Sequence, residues 1–137
     1  MAHNRKTVKS QTGTYTYTWT CPAGVTALLH WIHVKYVASG DAGTRKLQVT
    51  VYDDATVPVD LCDIVPGANG PTAGLTYHYV FASGGPYRES AFFENELQVS
   101  MVPVHLEPGW TLVIADVSGT DSATDEMLIH FQYSDIA

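Results

Sequence analysis

The chain has 137 residues, of which 45% are hydrophobic and 15% charged, and its formal net charge is −7. This length suits one domain that buries its own core without help from a metal or a disulfide. No stretch approaches the ~20 apolar residues of a membrane span, and residues 1–12 lack the apolar segment of a signal peptide. We therefore expect a protein that is made in the cytoplasm and contacts no membrane.

Charge is divided unevenly between the first twelve residues and the rest. Residues 1–12 carry Arg5, Lys6 and Lys9 and no acid, whereas the other 125 residues carry four basic and fourteen acidic residues. A body this acidic repels nucleic acid, so we expect no nucleic-acid partner. We predict that residues 1–12 form a flexible basic arm and residues 13–137 the folded domain. The arm is either a docking segment for an acidic protein surface or a plain disordered terminus.

Strand signals follow the arm at regular intervals along the chain. Alternating apolar and polar residues with many Thr, Val, Tyr and Trp are typical of strands, and Gly-Pro or Gly-Asp turns separate them. Residues 88–95 alone suggest a helical turn or an ordered loop. Pro58 limits the segment around it to a short edge strand. The predicted strands are 13–20, 27–39, 45–53, 57–65, 75–82, 96–104, 110–117 and 126–134.

The segment 27–39 is the longest of these and predicts the central strand. Strict alternation assigns its side chains to two faces. One face takes Leu28, His30, Ile32, Val34 and Tyr36, and the other takes Leu29, Trp31, His33, Lys35 and Val37.

The element order predicts an all-β fold. Because helical crossovers are missing, the sheets should be antiparallel and packed as a single sandwich of about eight strands. Eight strands in two facing sheets form a jelly roll, and seven form an immunoglobulin-like sandwich. The Cys and Trp spacing of antibody domains is not reproduced, so we predict a jelly-roll-like fold.

The chemistry-bearing residues do not form a recognisable catalytic or metal motif. His30 and His33 are three apart on one strand, and no HxH pair presents two imidazoles on one face. His33, His78 and His130 meet only if their strands are neighbours in register; otherwise they are polar positions on exposed faces. No GxSxG elbow is present. The acidic pairs Glu94/Glu96 and Asp121/Asp125 are best interpreted as solvated charge.

The chain has two cysteines. Cys21 and Cys62 lie outside any CxxC or CxH spacing, which argues against zinc. A disulfide between them is one alternative, but two reduced buried thiols suit a cytoplasmic product better. We therefore expect no enzyme activity, no cofactor and no metal.

Aromatic residues give the better functional signal, because Tyr and Trp often form contact surfaces. Tyr52 and Tyr87 are candidates for an exposed contact surface or a sugar-stacking platform. Tyr15, Tyr17 and Trp19 share one face of their strand and serve either such a surface or the sandwich core. Asparagine is scarce, which weakens the carbohydrate-binding alternative.

The layout resembles the small β-sandwich structural proteins of tailed bacteriophages, including capsid decoration (cement) proteins and head- or tail-fibre proteins. The resemblance covers roughly residues 14–134. It is carried by Pro-Ala-Gly at 22–24, the strand ALLHWIHVKYVAS, Gly43-Thr44-Arg45 running into KLQVTVYDD, and LEPGWTLVIADVSGTDSATDE late in the chain.

The resemblance implies a non-enzymatic component of the virion, assembled in the host cytoplasm. Such a protein binds the major capsid protein or other virion proteins, commonly as a homo-oligomer, a dimer or a trimer. The predicted partner-binding residues are Arg5, Lys6, Lys9, Tyr52 and Tyr87. The alternative is a receptor- or carbohydrate-binding module at a fibre tip.

Overall fold

The computed structural model describes residues 5–12, 16–66, 70–82, 95–117 and 124–137, and these contain strands and no helix. No helix in this part of the chain is therefore long and apolar enough to cross a membrane. The strands are β1 (Arg5–Thr12), β2 (Thr16–Thr20), β3 (Ala27–Val37), β4 (Leu47–Tyr52), β5 (Asp60–Ile64), β6 (Thr76–Ala82), β7 (Glu96–Ser100), β8 (His105–Leu106), β9 (Thr111–Asp116) and β10 (Glu126–Asp135).

Two sheets pack face to face. The larger has the order β1-β10-β3-β6-β7, with β8 also paired to β3, and the smaller has the order β2-β9-β4-β5. When β7 and β8 are set aside, the sheet β1-β10-β3-β6 faces the sheet β2-β9-β4-β5. This order is that of a jelly roll, in which two Greek keys wind eight strands into two sheets. The predicted all-β, jelly-roll-like sandwich is confirmed, with about ten strands instead of eight.

One strand pair departs from the predicted antiparallel arrangement. Strands β6 and β7 pair in parallel, with His78 opposite Glu96 and Ala82 opposite Ser100. A parallel pair cannot be joined by a tight hairpin and needs a connection of about a dozen residues. The segment between these two strands, residues 83–95, is long enough for that return. It lies almost wholly outside the described residues, as does most of the 88–95 segment expected to be helical or looped.

The basic N-terminal segment differs from the flexible arm expected from sequence. Residues 5–12 are strand β1, which pairs with β10 from Arg5 opposite Ser134 to Thr12 opposite Met127. It is the first of the eight jelly-roll strands and an edge of the larger sheet. Val8 packs against the core, and exposed lysines are typical of a protected sheet edge. The basic charge of residues 1–12 suggested a flexible arm, and it does not reveal that residues 5–12 form a strand.

A bulge in the central strand changes the predicted faces. Ile32, Val34 and Tyr36, which the alternation places on one face, are buried, but Leu29 is buried with them instead of Leu28 or His30. The pairing of β3 with β10 shifts by one residue at Gln132–Tyr133. An extra residue in one strand reverses the side of every residue beyond it.

Aromatic rings close the core between the sheets. Trp19 of β2 lies 5.1 Å from the ring of Phe131 and 5.1 Å from that of Tyr133, both on β10. Tyr17 is also partly buried against this core. The aromatic face of β2 therefore fills the sandwich; Tyr15, its third predicted member, lies outside the described residues.

A buried polar network joins the two sheets at one end of the sandwich. Arg45, 1% exposed, donates to both carboxylate oxygens of Asp125, from Nε at 2.6 Å and from Nη2 at 3.0 Å. The hydroxyl of Tyr36 donates to Asp116 Oδ2 at 2.5 Å and lies 3.1 Å from Asp125 Oδ2. The backbone N–H of Ser39 donates to the other oxygen of Asp125 at 2.8 Å. The sequence pattern suggested that Asp125 is a solvated charge, but Asp125 is buried and only 2% exposed.

The network fixes the protonation of its members. Burial alone would raise the pKa of Asp125, but the hydrogen bonds from Arg45, Ser39 and Tyr36 outweigh it and hold that pKa below its usual value. Burial, together with the hydrogen bond to Asp116 and its charge, raises the pKa of Tyr36. The tyrosine therefore stays protonated, and the Asp125 carboxylate stays ionised.

Removing one partner of the ion pair should destabilise the fold strongly. Arg45→Met leaves the Asp125 carboxylate buried without a cation, which costs about 3–5 kcal/mol. We expect this loss in the free energy of unfolding, measured by urea denaturation. The matched control is Lys46→Met at the next, exposed position, expected to change stability by about 0.5 kcal/mol or less. Equal effects of the two substitutions would contradict the assignment.

Candidate functional site

The sequence-predicted contact residues do not converge on one site. Arg5 and Lys9 point to the outer side of the larger sheet, because they are in register with Ser134 and His130 of β10. Lys6, one position along, lies on the opposite side of the strand and is exposed.

The two predicted tyrosines lie elsewhere. Tyr52 ends β4 in the smaller sheet, opposite Thr111, and is half-buried. Tyr87 lies outside the described residues. The structure thus brings together only Arg5 and Lys9 of the predicted set.

The solvent side of the larger sheet is the most distinctive surface of the molecule, and we call it the outer face. It is built from the alternate residues of five strands that do not point into the core. From β1 to β7 the register places on it Arg5, Thr7, Lys9 and Gln11; Leu128, His130 and Gln132; Trp31, His33 and Lys35; His78 and Val80; and Glu96, Gln98 and Ser100.

Three histidines meet at the centre of the outer face. His33 Nε2 and His78 Nδ1 are hydrogen-bonded at 3.0 Å, and their rings are parallel with centroids 5.3 Å apart. The ring of His130 lies 5.9 Å from that of His33, and its residue is directly opposite His33 in the pairing of β3 and β10. The condition set by the sequence, that the three strands be neighbours in register, is met. We call these residues the histidine cluster.

The surroundings of the cluster disfavour positive charge at its centre. Burial lowers the pKa of His33, and the nearby His78, His130 and Lys35 lower it further, against the opposite influence of Glu96. Lys9 of β1 is in register with His130 and adds a second cation beside the cluster. These influences favour the neutral form of His33, whose Nε2 shares a hydrogen bond with His78 Nδ1.

No group of three or more metal-ligating side chains in the described ranges is placed to hold a metal ion. In the cluster His33 and His78 use facing nitrogens for their own hydrogen bond. Cys21 and Cys62 are both free thiols, the first buried and the second half-buried. Burial raises the pKa of each thiol, which makes the reactive thiolate scarcer.

Charge is segregated between the two sheets. All five histidines in the part of the chain that the structure describes belong to strands of the larger sheet. The edge strand β5 of the smaller sheet instead carries the exposed Asp60 and Asp63, the latter accepting hydrogen bonds from Thr50 at 2.7 Å and Gln48 at 2.8 Å. The molecule thus has a basic side and an acidic side, although its net charge is negative.

A second surface feature is apolar and lies at the β5 edge. An open groove of about 430 Å³ separates β5 from residues 102–105, and its lining includes Leu61, Val102 and Trp110. Val57 and Val59, just before β5, are exposed beside it. The groove has little polar lining, so it lacks the convergent polar groups that orient a small-molecule substrate.

Comparison with known proteins adds little. No family model and no curated protein matches the chain. The chain is similar to one in the structure of the infectious bursal disease virus Gt strain, with 16% identity and a TM-score of 0.40, over 98% of this chain and 30% of that one. It is similar to a chain in the crystal structure of the T13 viral particle of the same virus, with 10% identity and a TM-score of 0.36, over 99% and 37%. The chain thus spans well under half of either, and likenesses this weak carry no argument about function.

Sequence reasoning missed the outer face as a unit. Trp31, His33 and Lys35 share one face of their strand, but His78, His130 and Lys9 lie on other strands, and only the strand order β1-β10-β3-β6 brings them to the same surface. The signal in the sequence is the recurrence of His or Lys at alternate, outward positions of three strands. These positions form one surface only when the strands are neighbours, and the sequence does not show which strands pair.

Acid should weaken the folded state through His33. Because the folded pKa of His33 is lowered, the unfolded chain binds a proton first as the pH falls below about 6.5. The stability this group contributes is present above that pH and is lost as the pH falls toward the folded pKa. We expect the thermal midpoint to fall between pH about 7.5 and about 5.5. In His33→Gln the fall should be smaller, and an unchanged fall would assign it to other groups.

Proposed function

We propose that this protein is a non-enzymatic structural component of a virus particle, which binds neighbouring virion proteins through the outer face. The observation that carries the proposal is the outer face itself, a five-stranded surface that places Trp31 on the same side of the sheet as Arg5, Lys9 and Lys35. Trp and Arg are enriched where proteins contact one another, and a broad sheet face suits another protein better than a small substrate.

The finer proposal follows the resemblance to tailed-phage structural proteins. The chain would decorate and stabilise a capsid, or build a head or tail appendage, with the major capsid protein or another virion protein as its partner. Assembly would take place in the host cytoplasm. The jelly roll, built to present two sheet faces, supports such surface-on-surface assembly.

The N-terminal strand supports self-assembly as well. Strand β1 lies at a sheet edge and contributes one partly buried apolar side chain, Val8, to the core. We propose that residues 1–12 are a separable segment that exchanges between copies, pairing with β10 of a neighbour in a dimer or trimer. An edge strand held mainly by backbone hydrogen bonds can be swapped without remodelling the core.

Association with particles tests the proposed function. Virus particles purified from the source of the chain should contain the protein after a density gradient, detected by immunoblot. Added to particles that lack it, Trp31→Ala should bind about 30-fold more weakly than the wild type, because a buried interface tryptophan contributes about 2 kcal/mol.

Tyr52→Ala is the comparison substitution on the other sheet, at an aromatic that the sequence predicted to bind a partner. A loss confined to Tyr52→Ala would assign the contact to the smaller sheet. Absence of the protein from particles would contradict the proposed function.

Solution mass tests the exchange of residues 1–12. We expect light scattering to give a dimer or trimer for the full chain and a monomer after deletion of residues 1–12, with β-sheet content checked by circular dichroism. Val8→Asp, which places a charge against the core, should act like the deletion. A full-length monomer, or an oligomer that survives both changes, would contradict exchange.

A carbohydrate-binding function is the second candidate, and one observation favours it. Trp31 is directly opposite Gln132, which is in turn opposite Thr7, so a ring lies beside hydrogen-bonding side chains on the outer face. This candidate requires saturable glycan binding that Trp31→Ala abolishes. Binding to particles without glycan binding would exclude it.

A further inference from the structure

We infer that the outer face binds a carboxylate-rich protein surface, and that it holds this surface more tightly in mildly acidic solution than at neutral pH. The inference rests on the proposed function and adds the chemistry of the partner and the condition that controls the contact. Its evidence is the placement of the histidine cluster among fixed cations.

Fixed cations outnumber carboxylates on the outer face. Arg5, Lys9 and Lys35 lie there, against Glu96 and Glu126 at its margins. Glu126 accepts a hydrogen bond from the Gln11 side chain, and Arg5 donates to Gln132 at 3.3 Å. In a protein whose net charge is −7, a face with a cationic excess is selective for an acidic partner.

Protonation of the cluster increases that excess. The hydrogen-bonded pair of His33 and His78 accepts one proton without losing its hydrogen bond, because an imidazolium still donates to a neutral imidazole. A second proton makes both rings donors and breaks the bond. His130 lies beside this pair, with its ring 5.9 Å from that of His33. Each step adds positive charge to the same small area.

Neighbouring groups from every adjoining strand decide when this happens. Lys35 on β3 opposes protonation of His33, whereas Glu96 on β7 favours it. Lys9 on β1 lies opposite His130, and Glu126 lies at the far margin of β10. In the free protein burial and the neighbouring positive charges together lower the pKa of His33. Partner carboxylates would supply the missing counter-charge, so binding and proton uptake reinforce each other.

Apolar groups on the same face favour a protein over a nucleic acid. Trp31, Val80 and Leu128 are half-buried and lie between the charged positions. A protein surface that mixes carboxylates with apolar side chains matches this pattern. The dense, uniform charge of a nucleic acid does not match it, and the acidic remainder of the molecule repels that charge.

The test uses a labelled poly-aspartate peptide of about 20 residues, which stays ionised at pH about 5.5 because the Asp pKa is about 3.9. Its affinity for the full chain is measured by fluorescence anisotropy at pH about 7.5 and about 5.5, on either side of the ordinary histidine pKa. We expect the affinity to rise about fivefold or more at the lower pH, since each new exposed ion pair adds a modest contribution.

Two variants make the result specific. In His33→Gln/His130→Gln the rise should shrink to about twofold or less, because two of the three rings of the cluster are removed. Lys46→Gln removes an exposed cation outside the outer face and should leave the rise intact. Thermal melts at both pH values confirm that each variant is folded under the assay conditions.

Three results would overturn the inference: no binding of the peptide at either pH, a rise that persists in the double variant, or equal binding of a poly-thymidine oligonucleotide. The last would assign the face to nucleic acid. Particle association of the wild type at neutral pH is measured separately. Particle association can succeed while the peptide test fails, so failure of this inference is distinguishable from failure of the proposed function.

Discussion

Arg45 lies in the interior, where a guanidinium without a counter-ion would cost several kcal/mol. Its partner Asp125 immediately precedes β10, so the ion pair ties the start of the smaller sheet's β4 to the larger sheet. Asp116, at the end of β9, joins the same network through Tyr36 and accepts a hydrogen bond from the backbone N–H of Lys46 at 3.0 Å. Four strands of both sheets therefore share one set of charges. Satisfying that set fixes how the two sheets meet at this end.

The loops around residues 41 and 70–71 are held in place by hydrogen bonds to Arg45. Arg45 donates to the backbone carbonyls of Asp41 at 3.0 Å and Pro71 at 3.4 Å, and its own carbonyl accepts from the Gly70 N–H at 2.7 Å. A Cβ at position 70 would clash with the backbone of Arg45. Glycine is required there because the two chain segments approach at backbone contact. The buried cation thus organises two loops as well as four strands.

With one end fixed in this way, the sandwich presents two sheet surfaces that differ in character. The larger sheet carries every histidine of the described ranges and most of the exposed cations, whereas the β5 edge of the smaller sheet carries aspartates. Such segregation favours oriented contact with other proteins, because it distinguishes one side of the molecule from the other. The histidine cluster lies at the middle of the basic side, where a partner would exclude water most completely.

The sequence by itself determined the strand content, the sandwich and the jelly-roll class, because period-two alternation and turn residues are local signals. It also grouped Ile32, Val34 and Tyr36 on one face of their strand and located the boundaries of most strands. Only the tertiary structure decided four other features. Residues 5–12 became a strand because β10 offered an edge to pair with, and the bulge opposite Gln132–Tyr133 reversed the faces of β3. Asp125 became a buried ion-pair partner and the histidines became a cluster for the same physical reason: each depends on residues distant in sequence that meet only when strands pair.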